Sequence, residues 1–403
     1  MWALLRNNRM GPSARPIMCQ KLLGVAVVGC GIGRSHIAQG YQRHPDKFRL
    51  QALCDIDAAR LAVVADEFSI PRHTTSFDEV LRIDDIDIVD ICTPARFHFE
   101  QILAALSAGK EVVCEKPLVL SLAEMDQVIA AEKAAVGRVM PIFQYRFGNG
   151  VQKAKRLIDM GIAGKPYLAT VETAWKRTPE YYETLWRGRW ETERGGVLLM
   201  HAIHSHDLLT WQMGPIASVF ARTTTRVNQI EVEDCAVASL VMRNGALASL
   251  AATLGSHREI SRLRLCFEHV TFESAEAPYA PGDDPWAILP ASREAERRIA
   301  EALVAYRSMP SRYEGQLGAY HAALTNGGIS PVTLADARAS LELATALYHS
   351  AATGAPMNLP IAVDHPSYNG WLSDLVQRGD LMEMNSPGTG SLRTRVVAKN
   401  RRN

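Results

Sequence analysis

Residues 22–36 read LLGVAVVGCGIGRSH, and the fold is decided there. Residues 22–28 are a continuous apolar run rich in valine, the pattern of a strand buried on both faces. The run passes directly into Gly29-Cys30-Gly31-Ile32-Gly33. Glycines at such a junction let the chain turn tightly and bring backbone N–H groups close to a pyrophosphate at the start of the next helix. The spacing is G-x-G-x-G, with the third glycine one residue earlier than in the usual dinucleotide fingerprint. Taken alone it is weak evidence, since a plain strand-to-helix turn accounts for such a pattern about a third of the time.

Outward from this point the period changes every dozen residues. Residues 48–54, 86–92, 112–114 and 139–143 read as further strands. Residues 35–43, 58–68, 97–108 and 123–135 read as helices between them. Strands alternating with helices imply right-handed crossovers and a doubly wound parallel sheet, an α/β Rossmann domain over residues 21–146. After Arg146 the pattern changes. One more helix, 151–160, ends at Gly161, and strand-like alternation follows without intervening helices. Residues 236–242 and 246–252 flank Asn244-Gly245, a strong hairpin signal, and 262–272 alternates as a half-buried strand does. Residues 278–290 read as loop, 293–306 and 334–352 as helices. Residues 147–385 are therefore expected to form an α+β domain with an open mixed or antiparallel sheet.

Composition limits the functions available. The 403-residue chain is 47% hydrophobic, and 44 Lys+Arg against 43 Asp+Glu leave a formal charge of +1. That excludes a disordered chain and a polybasic nucleic-acid binder. Seven cysteines, odd in number and without a C-x-x-C, suit a reducing compartment and a cytoplasmic protein. The longest uncharged apolar stretch, 22–33, is too short to cross a membrane. Residues 1–20 read as a disordered extension and 386–403 as a solvated basic tail.

Chemistry-bearing residues fall at the carboxyl ends of the first domain's strands, where open α/β sheets bind ligands. Asp55 ends the second strand, placed for a ribose 2′-hydroxyl; it would repel the 2′-phosphate of NADP, so NAD is favoured. The neighbouring Asp57 is better placed to cap the next helix. Thr93-Pro94 ends the third strand and Glu115-Lys116-Pro117 the next. A lysine locked between a strand end and a proline reads as a fixed donor.

The ordered set Gly29-x-Gly31, Thr93-Pro94 with His98 beyond, and Glu115-Lys116-Pro117 resembles the Gfo/Idh/MocA family of NAD(P)-dependent oxidoreductases. The segment from Gly195-Gly196 through His204-Ser205-His206-Asp207 resembles that family's helix with the catalytic histidine. The resemblance implies NAD bound by Gly29, Gly31, Ile32, Gly33, Asp55, Thr93, Pro94, His98, Glu115 and Lys116. It also implies a sugar, sugar acid, polyol or glycoside as substrate, and a homodimer or homotetramer. Lys116 would bond the substrate oxygen and His204 would remove its proton, a role suited to a group with pKa near neutrality. The Lys116–Pro117 bond is often cis in this family. Met200 stands where the family often has an aspartate, with His201 beside it. That departure weakens the transfer of inositol or glucose specificity, not of reaction type.

Arg146, His201, Trp186 and Arg187 are further substrate candidates. Tyr181, Trp186 and Arg187 read either as a carbohydrate pocket or as a packed loop. His201 and His204 stand i, i+3, but without H-E-x-x-H no metal is expected. Two other classes keep the fold: a glycosidase using NAD for transient oxidation, elimination and re-reduction, and a non-catalytic sensor of sugar or NAD.

Overall fold

A computed structural model of the chain describes residues 22–371. The expected N-terminal extension and basic tail lie outside the described residues. The chain divides into two compact units.

The first unit begins with β1 (Leu23–Val28), α1 (Gly33–Gln39), β2 (Phe48–Cys54), α2 (Ala58–Phe68), β3 (Arg72–Thr74) and α3 (Phe77–Leu81). It continues through β4 (Ile88–Ile91), α4 (His98–Ser107), β5 (Glu111–Cys114), most of α5 (Leu122–Ala134) and β6 (Val139–Pro141); Val119–Met125, with the first turn of α5, clusters with the second unit. The six strands are all parallel, in the order β3-β2-β1-β4-β5-β6. The order reverses direction at β1, the switch point at which such sheets bind ligands. Val25, Ala26 and Val27 are fully buried. Covering each valine is worth roughly 1.5–3 kcal/mol, which ties this run to the centre of the sheet.

Three elements differ from the expectation, the first being α3, a five-residue helix that the pattern did not mark. The helix expected over 35–43 stops at Gln39. At Gly40 a Cβ would stand 2.6 Å from the His36 carbonyl and 2.5 Å from Leu317. The edge strand β3 is three residues, Arg-His-Thr, without an apolar run to mark it.

The second unit holds α6 (Asn149–Asp159), β7 (Pro166–Lys176), α7 (Trp190–Glu193), α8 (Ile203–Met213), β8 (Ile216–Thr224), β9 (Cys235–Met242) and β10 (Leu247–Thr253). After these come β11 (Gly255–Phe267), β12 (Val270–Glu273), β13 (Ala287–Pro290) and α9 (Arg293–Val304). Helix α10 (Arg312–Asn326) then belongs to the first unit, which takes in Ser308–Ala337. Most of α11 (Leu334–Thr353) and β14 (Met357–Asn358) return to the second. Residues 147–385 thus do not all cluster together. In α10, Gln316 accepts the Phe143 N–H at 3.2 Å and donates to the Pro141 carbonyl at 2.7 Å, satisfying backbone at the end of β6.

The second unit's sheet has eight strands, in the order β13-β12-β11-β7-β10-β9-β8-β14, antiparallel except for the β7–β10 pair. The Asn244-Gly245 hairpin joins β9 to β10, with Gly245 at φ +89°. The run expected as one strand over 262–272 is two: β11 and β12 pair antiparallel across Glu268-His269. Among the described residues, one face of the sheet is left uncovered. A row across it, Val241, Leu247 and Leu168, is 41–53% exposed.

Candidate active site

The glycine loop leaves β1 with each glycine doing different work. Gly29 has φ +98° and donates its N–H to the Cys54 carbonyl at 2.7 Å; a Cβ there would stand 2.6 Å from the Cys92 carbonyl oxygen. Gly33 lies against the sheet, where a Cβ would meet Val27 at 2.7 Å. Gly31 faces open space, with nothing within 4 Å of a Cβ position. These are the roles of tight turn, close helix packing and ligand approach that the dinucleotide fingerprint requires. Gly33 fills the packing role although it arrives one residue early. The first turn of α1 carries no acidic side chain to oppose an anion.

Asp55 is 6% exposed at the end of β2. One of its oxygens accepts the Cys30 N–H at 2.7 Å and the other the Asp57 N–H at 2.9 Å, with Arg60 at 3.5 Å. It therefore pins the glycine loop to β2. Asp57 caps α2 by accepting from the Ala59 and Arg60 N–H groups. Burial, reinforced by Asp55, pushes the Cys30 thiol up to about 12, so it stays protonated in the loop. The open side of Gly31 and the acid at the β2 end fit a dinucleotide. Gly29, Gly31, Gly33 and Asp55 are the residues that would hold it.

Further along the same edge, Thr93 follows β4 and Lys116 follows β5. His98 is buried, its Nε2 2.7 Å from the Thr93 carbonyl and its Nδ1 3.0 Å from the Pro117 carbonyl. Burial lowers its pKa against the pull of these carbonyls. The ring thus ties two strand-end loops together. Glu115 is buried too, one oxygen accepting the Lys116 N–H at 3.1 Å. Lys116 is half-buried, and its bond to Pro117 is cis. Arg146 is 3% exposed and pairs with Asp336 at 3.1 Å within the same unit.

In the second unit, a π-helical turn (Val197–His201) runs into α8, which carries His204, His206 and Asp207. Such turns are frequent at functional sites. His201, His204 and His206 are all under 6% exposed. Burial lowers the His206 pKa to about 3, so that ring is neutral. Ser340 of α11 donates to Asp207 at 3.4 Å, which ties the helix down. The His201 ring lies 5.8 Å from both Trp175 and Tyr181. The Arg187 guanidinium stacks between Tyr181, at 4.0 Å, and Trp186, at 4.6 Å. The fold thus brings the expected Trp186 and Arg187 to the neighbourhood of His201. Tyr182, Arg187, Arg189 and Arg226 line a cleft of about 660 Å³ in this unit.

Glu233-Asp234, before a strand, also resembles the family's pattern, but sequence reasoning missed that Glu233 holds the turn. Glu233, 1% exposed, accepts the Gly196 N–H at 2.9 Å, the Leu198 N–H at 3.0 Å and the Tyr348 hydroxyl at 2.8 Å. A Cβ at Gly196 would stand 1.8 Å from the Glu233 carbonyl oxygen, so the glycine is needed for this approach. The sequence also did not reveal a buried cluster of His36, Asp90 and Cys92, the grouping of three metal-type side chains found among the described residues.

Comparison with known proteins agrees with this architecture. Residues 23–143 match the oxidoreductase family with an NAD-binding Rossmann fold, GFO_IDH_MocA, and residues 151–273 match the GFO/IDH/MocA C-terminal domain. The chain belongs to the Gfo/Idh/MocA family of oxidoreductases. An uncharacterised oxidoreductase of Bacillus subtilis, YrbE, is 30% identical over 236 residues, covering 57% of this chain and 66% of that protein. The myo-inositol 2-dehydrogenase of Thermotoga maritima is 28% identical over 232 residues, covering 55% and 66%. The chain thus spans about two thirds of these relatives' length. The WlbA dehydrogenase from Bordetella pertussis, solved with NADH and UDP-GlcNAcA, is 27% identical with a TM-score of 0.75, covering 85% of this chain and all of that one. A levoglucosan dehydrogenase, at 22% identity and a TM-score of 0.74, shares the fold. Among the described residues no helix is long and apolar enough to cross a membrane.

Proposed function

We propose that the protein is an NAD-dependent dehydrogenase that oxidises a secondary hydroxyl of a sugar, sugar acid, polyol or glycoside. The observation that carries this reading is the single sheet edge on which the open Gly31 loop, Asp55, Thr93 and Lys116 fall together. The family's named dehydrogenases, one acting on myo-inositol and one solved with a nucleotide sugar, support the substrate class.

When bound, the nicotinamide supplies a hydride acceptor. Asp55 would hold the adenosine ribose by its hydroxyls, and its charge would disfavour a 2′-phosphate. The Lys116 ammonium donates to the substrate oxygen and stabilises negative charge as the O–H bond breaks. His204 takes the hydroxyl proton at an imidazole nitrogen, leaving a carbonyl. His201, Trp186 and Arg187 bound the sugar: aromatic faces meet its C–H groups and the guanidinium meets its hydroxyls. The apolar row on the open sheet face supports a homodimer or homotetramer, and the described cysteines, all free thiols, support a cytoplasmic setting.

A spectrophotometric panel of NAD and NADP with sugars, polyols and glycosides tests the reading. NADH formed from a free sugar or polyol is the expected result. Release of an aglycone without net NADH would replace it with the glycosidase. No turnover, with binding unaltered by Lys116→Ala, would leave a sensor.

A further inference from the structure

His36 is fully buried in the first turns of α1, three residues beyond Gly33. Its Nδ1 lies 2.8 Å from Asp90 Oδ2, inside β4, and its Nε2 lies 3.0 Å from Glu115 Oε1, just past β5. Both partners are carboxylates that accept. Set between two carboxyl groups, the ring is placed to donate from both nitrogens, the arrangement that favours its charged form. Burial alone would lower its pKa, but Asp90, with Cys92, outweighs this and holds it well above the ordinary histidine value. The Cys92 thiol, its pKa raised by burial, donates to Asp90 Oδ1 at 3.5 Å. The cluster therefore closes as a hydrogen-bonded network without calling on a metal ion. The Tyr313 ring packs on His36 at 4.5 Å, and its hydroxyl donates to Glu115 Oε1 at 3.4 Å.

The other oxygen of Glu115 accepts the backbone N–H of Lys116 at 3.1 Å. One carboxylate thus joins the imidazolium of the helix leaving the cofactor loop to the backbone of the proposed active-site lysine. We propose that His36 is a positioning residue for Lys116: by fixing Glu115 against Asp90 it sets the backbone from which the lysine reaches into the sheet edge. Without the ring, two buried carboxylates face each other with no charge between them, and Glu115 moves toward solvent or takes up a proton. Either change releases the Lys116 N–H. This inference rests on the dehydrogenase reading only for its kinetic consequence.

The test uses the full chain and three readouts. In apo protein with ¹⁵N-labelled histidine, one imidazole keeps both ring protons above about pH 8 and disappears in His36→Gln. Trinitrobenzenesulfonate labelling, read at the Lys116 peptide by mass spectrometry, changes in rate in His36→Gln and in Glu115→Gln, and the double variant adds nothing further. On a substrate found by the panel, His36→Gln lowers kcat roughly 10- to 100-fold while the NADH dissociation constant stays within about 2-fold. Unchanged Lys116 labelling in a folded His36→Gln protein overturns the proposal, as does a loss carried wholly by NADH affinity. Where that variant does not fold, Tyr313→Phe, which removes the phenol bond to Glu115 and the acceptor of the Gln144 amide, shifts the labelling in the same direction while Gln144→Leu, which removes the amide alone, does not; no shift in Tyr313→Phe overturns the proposal. Absence of turnover refutes the dehydrogenase reading and leaves the first two readouts to decide this one.

Discussion

Replacing Glu233 by glutamine should change how the second unit's stability depends on pH. Burial raises the Glu233 pKa from 4.5 to about 7, against bonds from Leu198, Tyr348 and Gly196 that favour the carboxylate. An acid whose folded pKa lies above its unfolded value binds its proton more tightly in the native state. Between pH 4.5 and about 7 the folded chain therefore holds a proton that the unfolded chain has lost, and stability falls as pH rises. The shift corresponds to roughly 3 kcal/mol, fully present below the lower value and lost above the upper one. Glutamine cannot ionise. Its amide N–H groups face the Gly196 or Leu198 donors, which costs roughly 1–3 kcal/mol at every pH. At pH 5 Glu233→Gln should be the less stable protein. By pH 8 the difference should have moved about 3 kcal/mol in the variant's favour, equivalent to roughly 6–12 °C in Tm. Six of the seven tryptophans, 175, 186, 190, 211, 286 and 371, lie in the second unit, so fluorescence-detected melting of a Trp2→Phe background reports on it selectively. Wild-type and variant Tm values measured from pH 4.5 to 8.5 should converge or cross. Parallel profiles would refute the argument, because the difference would then owe nothing to ionisation at this position.

The loop glycines separate binding from folding. Gly31→Ala should change stability by no more than about 0.5 kcal/mol yet weaken NADH binding tenfold or more, measured by fluorescence titration. Gly29→Ala, strained at φ +98° and against the Cys92 carbonyl, should lose roughly 1–2 kcal/mol in urea unfolding as well. Asp55→Asn keeps an acceptor for the Cys30 N–H but removes the charge. Its ratio of NAD to NADP dissociation constants should move at least about tenfold toward NADP, and an unchanged ratio would remove Asp55 from cofactor selection. His204→Ala should lower kcat by roughly 10²- to 10⁴-fold and abolish the acidic limb of its pH profile.

The parallel strands were legible because burial on both faces leaves an unbroken apolar run, as in residues 22–28. Where that cause is missing, so is the signal. Strand β3 lies at the edge with exposed Arg72 and His73, and nothing in its composition separates it from a loop. Helix α10 was hidden by Gly315 and Gly318, poor helix formers in isolation. Their reason is tertiary: a Cβ on Gly318 would meet His44 at 2.8 Å, and one on Gly315 the Pro310 carbonyl at 2.1 Å. Helix propensity was given up there for close approach.

The site divides the same way. Glycines, Asp55, Lys116 and the histidine helix carry their signal locally, in spacing and at strand ends. The groups that hold them do not. Glu233 acts on Gly196, 37 residues away, and His36 meets Asp90 and Glu115 at separations of 54 and 79. One local clue was available. In Ile88-Val89-Asp90-Ile91, a strand buried at every position, an aspartate interrupts the apolar run. A carboxylate fixed in such a place needs a cation or several donors, since burying it alone costs more than the strand can return. The same reasoning picks out its partner. Of the groups near the sheet's switch point, a histidine on the first turns of α1, the helix that follows the neighbouring strand β1, can reach it while still facing the end of β5. A charge inside a fully buried strand therefore predicts a second buried group, and at this sheet edge that group also supports the lysine proposed to do the chemistry.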